Sequence, residues 1–165
     1  MEFKLAHPGE ASMLTRMAHD SKAFWGYTPE QLLLLKPDLL IDSEYIRQHI
    51  VYKVLIDERL IGFYALSYHN LENCFFIDHL WLIPDRIRQG IGRSVFIHII
   101  SQLKETGQSR VLVKGDPHAR GFYEKMTGRL IAEKPSRDAS VLLSVYEFDV
   151  RQVFEYFLPL HSRIY

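Results

Sequence analysis

Asp78-His79-Leu80-Trp81-Leu82-Ile83-Pro84-Asp85-Arg86-Ile87-Arg88-Gln89-Gly90-Ile91-Gly92-Arg93-Ser94 runs from an apolar, aromatic strand through a basic loop into a helix that opens on two spaced glycines. Glycine lets backbone N–H groups approach a ligand closely, and a helix N-terminus carries about half a positive charge. Arg86, Arg88 and Arg93 add full charges to the same place. The arrangement suits a pyrophosphate-bearing anion; a tight turn into a helix, with the arginines solvated, is the alternative that spacing alone leaves open. Two other phosphate motifs do not fit. Val95 stands where a dinucleotide fold places its third glycine, and no Gly-Lys-Ser/Thr ending follows.

Downstream, Ile91, Val95, Ile99 and Leu103 recur at four-residue intervals and predict a helix over Ile91 to Thr106, stopped by Gly107. Arg110 to Lys114 reads as a short strand, Ala119 to Met126 as a helix ending near Gly128, and Arg129 to Lys134 and Val141 to Phe148 as closing strands. Upstream, Val51 to Asp57, Leu60 to Asn70 and Cys74 to Ile83 are rich in β-branched and aromatic residues and predict an antiparallel meander with short links. Before them, Phe3 to Leu5 predicts a strand and Glu10 to Phe24 a helix. A second helix, Pro29 to Leu35, is capped by Thr28 and closed before Pro37, and a third runs from Asp42 or Ser43 through His49. The predicted fold is α/β, of the α+β kind: a mixed, mainly antiparallel central sheet of about six or seven strands with helices on both faces. Residues 1–150 read as one domain. Arg151 to Tyr165 is an aromatic, poorly periodic tail that packs on the core, swaps or meets a second copy in a homodimer.

Of the 165 residues, 47% are apolar and 24% charged, a composition that can bury one core and is unlike disorder or a coiled coil. Twenty basic residues balance twenty acidic ones, so no global field points to nucleic acid or anionic lipid. No apolar run approaches the roughly 20 residues that cross a bilayer, so no membrane span is expected. The amino terminus carries Glu2, His7 and Pro8 where a signal peptide is apolar. Cys74 is the single cysteine, which forms no intramolecular disulfide and suits a reducing compartment; the expected location is cytoplasmic. The eight histidines show no metal-ligand spacing, so no metal is expected, and no Gly-x-Ser-x-Gly elbow appears.

Gln89-Gly90-Ile91-Gly92-Arg93, lying between strand and helix, resembles the acetyl-CoA loop of the GNAT superfamily of N-acetyltransferases. Asp116-Pro117-His118-Ala119-Arg120-Gly121-Phe122-Tyr123-Glu124-Lys125-Met126 resembles that family's second recurring stretch, and Ser21-Lys22-Ala23-Phe24-Trp25-Gly26-Tyr27 is similar to the amino-terminal stretch of one bacterial subgroup. The resemblance covers residues 3 to 149 and departs at two points. Ile87 stands where Arg or Gln is usual, and Met126-Thr127-Gly128 has one residue more than the common Met-Gly. The resemblance implies acetyl-CoA as cofactor, held by main-chain groups of Leu80, Trp81 and Leu82, by Arg88, Gln89, Gly90, Ile91, Gly92, Arg93 and Ser94, and by His118 and Phe122. Tyr123, which by periodicity packs with Phe122 and Met126, takes by resemblance the role of general acid toward the departing sulfur.

Moving an acetyl group to an amine also needs the amine neutral, hence a base. The strand position that often carries Glu in the family is Phe76 here, which accepts no proton. Strand alternation places Asp78 on the face of Phe76 and His79 on the other, making Asp78 the first candidate and His79 the second. Each has a structural alternative, Asp78 as an acceptor of backbone hydrogen bonds and His79 as a satisfied core histidine. Lys22, Trp25, Tyr27 and Arg137 are candidates for the acceptor pocket, with the cations suiting a carboxylate-bearing acceptor; their alternative is a solvated helix face and an aromatic core plug. The expected activity is direct acetyl transfer from acetyl-CoA to a primary amine of a small molecule or peptide. The alternative is a non-catalytic acyl-CoA or metabolite-binding module, kept open by Phe76, and a third reading is an unrelated nucleotide-phosphate binder.

Overall fold

The computed structural model describes residues 1–136 and 141–158. The chain opens with strand β1 (Glu2–Leu5) and helices α1 (Ala11–Ala23), α2 (Pro29–Leu39) and α3 (Ser43–Gln48). The meander β2 (Ile50–Ile56), β3 (Arg59–His69) and β4 (Cys74–Leu82) follows, then α4 (Ile91–Glu105), β5 (Arg110–Gly115), α5 (Arg120–Lys125), β6 (Arg129–Pro135), β7 (Leu142–Asp149) and α6 (Val150–Phe157). Seven strands form one sheet in the order β1-β2-β3-β4-β5-β7-β6. Every pairing is antiparallel except that of β4 with β5.

Local chemistry accounts for most of the boundaries. Thr28 and Gln31 form a capping box around Pro29, which starts α2. The sequence predicts closure before Pro37, yet α2 continues to Leu39. Leu35 and Leu39, one turn apart, are both buried, whereas Pro37 lies on the solvent face, where the carbonyl that it leaves without a donor meets water. Asp57 and Glu58 both have positive φ, 49° and 64°, which gives the β2–β3 hairpin the twist that a two-residue turn needs.

Side chains alternate across β3, the central strand of the meander. Phe63 and Ala65 share a core with Leu14, Met17 and Ala18 of α1 and Leu35 and Leu39 of α2. Tyr64 and Leu66 point to the other face, into a core with Val95, Phe96, Ile99 and Leu103 of α4. Helix α6 joins this second core through Val150, Val153, Phe154 and Phe157, at helical spacing. Burying each such side chain contributes roughly 1.5–3 kcal/mol, which holds a helix too short to form alone. Two turns of helix give too few repeats for the period to stand out from an aromatic tail, so the sequence leaves this segment undecided.

One irregularity in β4 shapes the site. Ala65 pairs with His79 and Leu66 with Ile77, so Asp78 is the extra residue of a β-bulge. Just there β4 leaves β5, whose parallel ladder with it covers only Phe75 to Ile77 against Val111 to Val113. Beyond Val113, β5 keeps its pairing with β7 and β4 its pairing with β3. The sheet therefore splits at its centre.

Candidate active site

The split leaves main-chain groups of β4 facing a gap. Ile83 N–H donates to the Ile61 carbonyl at 2.9 Å. Alternation back along β4 then turns the main-chain groups of Trp81 toward β3 and those of Leu80 and Leu82 into the gap. The Trp81 carbonyl accordingly sits against Gly62, where a Cβ would come within 2.5 Å of it. Of the three residues named from the sequence, two present their main chain to the gap.

The glycine loop follows β4 directly, and a Cβ on Gly92 would stand 3.9 Å from the Leu82 side chain. Gly90 caps α4 at a φ of 80°, and no side chain bonds to the first turn. The Ser94 N–H reaches the Gly90 carbonyl at 3.3 Å, so the N–H groups of Ile91, Gly92 and Arg93 precede the first bond of the helix. A Cβ on Gly92 would stand 3.5 Å from the Phe122 ring, which therefore walls the loop. Gln89 braces the loop from within, its amide donating to the Asp85 carbonyl at 2.6 Å. Among the described residues, Arg86, Arg88 and Arg93 form no ion pair with a carboxylate, so the positive charge remains available to an anion.

The opposite lip is built by Asp116. It follows β5 and caps a 3-10 turn, Pro117–Ala119, its Oδ1 accepting from His118 N–H at 2.8 Å and from His118 Nδ1 at 2.9 Å. Oδ2 accepts from the Tyr27 hydroxyl at 2.6 Å and from Lys22 Nζ. The Lys22 and Asp116 side chains are 8% and 17% exposed. Burial alone would raise the Asp116 carboxyl, but the bonds from Lys22 and Tyr27 and the Lys22 charge outweigh it and hold the carboxyl below its ordinary range. Sequence reasoning names Lys22 and Tyr27 but not their common partner.

A cleft of about 450 Å³ runs along the gap. Its walls include Leu35 and Asp38 of α2, Asp78, Leu80 and Trp81 of β4, Lys114 and Asp116, Tyr123 of α5, and Lys134, Ser136 and Leu143 at the β6–β7 end. Trp25 and Tyr27 do not line it, contrary to the expectation for an acceptor pocket. Trp25 stacks on His118 with ring centroids 5.5 Å apart, and Tyr27 meets the same imidazole edge-on. Lys22 does line the cleft, but Asp116 neutralises it, so it is no receptor for a carboxylate. Arg137 lies outside the described residues. Tyr123 is 6% exposed and lies flat on β5 because residue 115 is glycine; a Cβ there would stand 3.0 Å from the ring. Burial, and after it the Asp116 charge, push the phenol up, so it keeps its proton throughout the neutral range.

Asp78 and His79 both face α3, which corrects the expectation that they point to opposite faces. Tyr45 of α3 donates its hydroxyl to Asp78 Oδ2 at 2.9 Å, and its ring lies 5.5 Å from the His79 ring. The bulge removes the alternation on which that expectation rests. His79 is 7% exposed, and its Nδ1 accepts from Trp81 Nε1 at 3.0 Å. An indole only donates, so Nδ1 holds the lone pair and Nε2 the proton. Burial lowers its pKa from 6.5 to about 4, against the raising effect of Asp78 and Asp38. The unfolded chain therefore binds this proton more tightly than the folded one, and the stability is full above pH 6.5 and falls as the pH drops toward 4. The loss is about 2–3 kcal/mol by pH 4.5. His79→Gln, which keeps an acceptor for Trp81, is expected to flatten this limb in urea titrations; an unchanged slope would contradict the assignment. Phe76 is buried against Cys74 and Leu112, and Cys74 is itself buried with its thiol pushed up by burial, a poor nucleophile.

The sequence model of the Acetyltransferase (GNAT) family matches residues 14–128, more than half of the chain. The chain belongs to the GNAT family. The PaiA N-acetyltransferase of Thermoplasma acidophilum, solved in complex with coenzyme A, superposes with a TM-score of 0.71 at 16% identity, over 90% of this chain and 98% of that one. A GCN5-related N-acetyltransferase of Rhodopseudomonas palustris gives 0.73 at 13% identity over 90% and 94%. The ribosomal-protein-S18-alanine N-acetyltransferase of Escherichia coli gives 0.66 at 11% identity over 99% and 98%. At such identities these structures share the GNAT fold with this chain. No curated protein matches the sequence.

Both departures from the GNAT motifs have a physical account. Ile87 is half-buried and packs against the α4 core, a contact that suits an apolar side chain. Thr127 takes a φ of 68°, and Gly128 N–H bonds to the Tyr123 carbonyl at 2.9 Å, closing α5 with a left-handed residue where glycine is the usual occupant. Gly128 is required by space instead, since a Cβ there would lie 2.7 Å from Phe148. The added residue is absorbed in this turn, beyond Tyr123. Among the described residues of this GNAT chain, no group of three or more His, Cys, Asp or Glu side chains is placed to hold a metal ion, and no helix is long and apolar enough to cross a membrane.

Proposed function

We propose that this GNAT protein transfers an acetyl group directly from acetyl-CoA to a primary amine of a small molecule or peptide. The observation that carries this reading is that the split between β4 and β5 opens a cleft lined by Leu80 and a buried, protonated Tyr123, and that the same strand β4 leads directly into the charged glycine loop. The residues present fit the cofactor. Leu80 and Leu82 offer main-chain donors and acceptors to an amide-bearing arm, and the N–H groups of Ile91 to Arg93, with Arg88 and Arg93, offer donors to a pyrophosphate. Phe122 packs beside Gly92, and His118 lies in the turn that Asp116 caps. When bound, acetyl-CoA supplies an acetyl group activated as a thioester.

Tyr123 holds a proton at its phenolic oxygen and gives it to the departing thiolate. Asp78, exposed on the bulge and lining the cleft, takes the proton of the acceptor ammonium, directly or through water, and the Tyr45 hydroxyl orients it. The Nδ1 lone pair of His79 is already engaged by Trp81 and is not free to accept a proton from an acceptor. The test is calorimetric titration with acetyl-CoA and coenzyme A, followed by a panel of amines monitored for free thiol. Saturable binding with thiol release for one class of amine is expected. Binding without release from any amine favours the non-catalytic module, and no binding overturns the cofactor reading.

A further inference from the structure

The glycine loop keeps two of its arginines on aromatic faces. The Arg88 guanidinium carbon lies 5.7 Å from the centre of the Trp25 ring, and that of Arg93 lies 5.0 Å from the centre of Phe157. Both distances are within cation–π range. Trp25 belongs to the link between α1 and α2, and Phe157 ends α6, outside the residues that match the family. Neither segment contributes to the glycine motif itself.

An aromatic partner does something for an arginine that a carboxylate does not. Stacking restricts the side chain while the N–H groups, which lie in the guanidinium plane, stay directed outward toward an oxyanion. A carboxylate would take those donors and cancel the charge. The seats are themselves fixed: Trp25 stacks on His118 and meets Phe24 edge-on at 5.2 Å, while α6 is anchored by buried Val150 and Val153.

We propose that Trp25 and Phe157 are positioning residues for the cofactor, seats that hold Arg88 and Arg93 at the N-terminal end of α4 for the phosphate groups of coenzyme A. The proposal rests on the cofactor reading above. It extends the cofactor site to the C-terminal helix, which has no sequence motif. Helix α6 also supplies an internal control, because Lys104 lies 3.8 Å from the centre of Phe154, the same kind of contact at a distance from the loop.

The experiment titrates coenzyme A, dephospho-coenzyme A and pantetheine into the wild type, Phe157→Leu, Trp25→Leu, Arg93→Gln, Phe154→Leu and the Phe157→Leu/Arg93→Gln double variant. Phe157→Leu is expected to weaken coenzyme A binding about two- to fivefold. Arg93→Gln weakens it at least as much, and the double variant no further than Arg93→Gln alone, since the seat acts only through the arginine. Trp25→Leu weakens coenzyme A binding in the same way through Arg88. Phe154→Leu leaves coenzyme A binding unchanged, and pantetheine, which lacks the phosphates, does not distinguish the variants. An Arg93 effect that persists with dephospho-coenzyme A assigns the pyrophosphate, and one that disappears assigns the outlying phosphate; both support the seat. Phe157→Leu binding coenzyme A like the wild type, or weakening coenzyme A and pantetheine alike, overturns it. If Phe157→Leu does not fold, Phe157→Met replaces it. A wild type that binds no coenzyme A overturns the cofactor reading, and the seats with it.

Discussion

Tyr123→Phe is expected to lower kcat by about two to four orders of magnitude, the range for removal of a positioned general acid, while acetyl-CoA affinity changes less than about twofold. The substitution deletes one O–H. The ring keeps its support from β5 at Gly115 and its packing against Tyr146 and Phe148, at centroid distances of 5.7 and 6.2 Å, so the fold and the cofactor passage remain. The split between kcat and binding is the decisive readout. A Tyr123 that only fills the core would leave turnover near the wild-type level, and steady-state thiol release beside calorimetry separates the two roles.

Lys22→Met is expected to destabilise the protein by about 3 kcal/mol, because removing one member of a buried ion pair leaves the other without its countercharge. The low end of the usual range applies here, since Tyr27 and the His118 N–H still donate to Asp116. Because the folded carboxyl lies below 3.8, its stabilising contribution is full above that pH and fades only in stronger acid. In Lys22→Met the carboxyl rises, so this acid-side loss shrinks and the deficit of the variant is largest where Asp116 is ionised. Adding Asp116→Asn removes the unpaired charge and is expected to recover part of the stability. Urea unfolding of both variants tests this; a single variant within about 0.5 kcal/mol of the wild type, typical of surface changes, would show that the pair carries no weight.

These two residues mark where the sequence is informative. Tyr123 is legible because its motif is local: eight consecutive residues from Asp116 contain the cap, the turn and the tyrosine. The glycine loop, the Thr28 cap and the period of α4 are legible for the same reason, as is the meander, whose strands are joined by short turns. Lys22 is also visible, but its meaning is not, because Asp116 lies 94 residues away and the pair exists only once α1 docks on the sheet at β4.

The amino-acid sequence by itself therefore determined the elements up to β7, the mixed sheet with helices on both faces, and the places of the glycine loop and the tyrosine. Each of these depends on residues within one or two turns of one another, where capping, side-chain period and glycine conformations act. Only the tertiary structure decided the bulge that turns Asp78 and His79 to the same side, the Asp116 hub, the docking of α6 and the stacking of Trp25 on His118. A one-residue slip in strand pairing leaves hydrophobic composition unchanged yet re-aims every side chain beyond it, and a contact between distant segments is set by how whole elements pack.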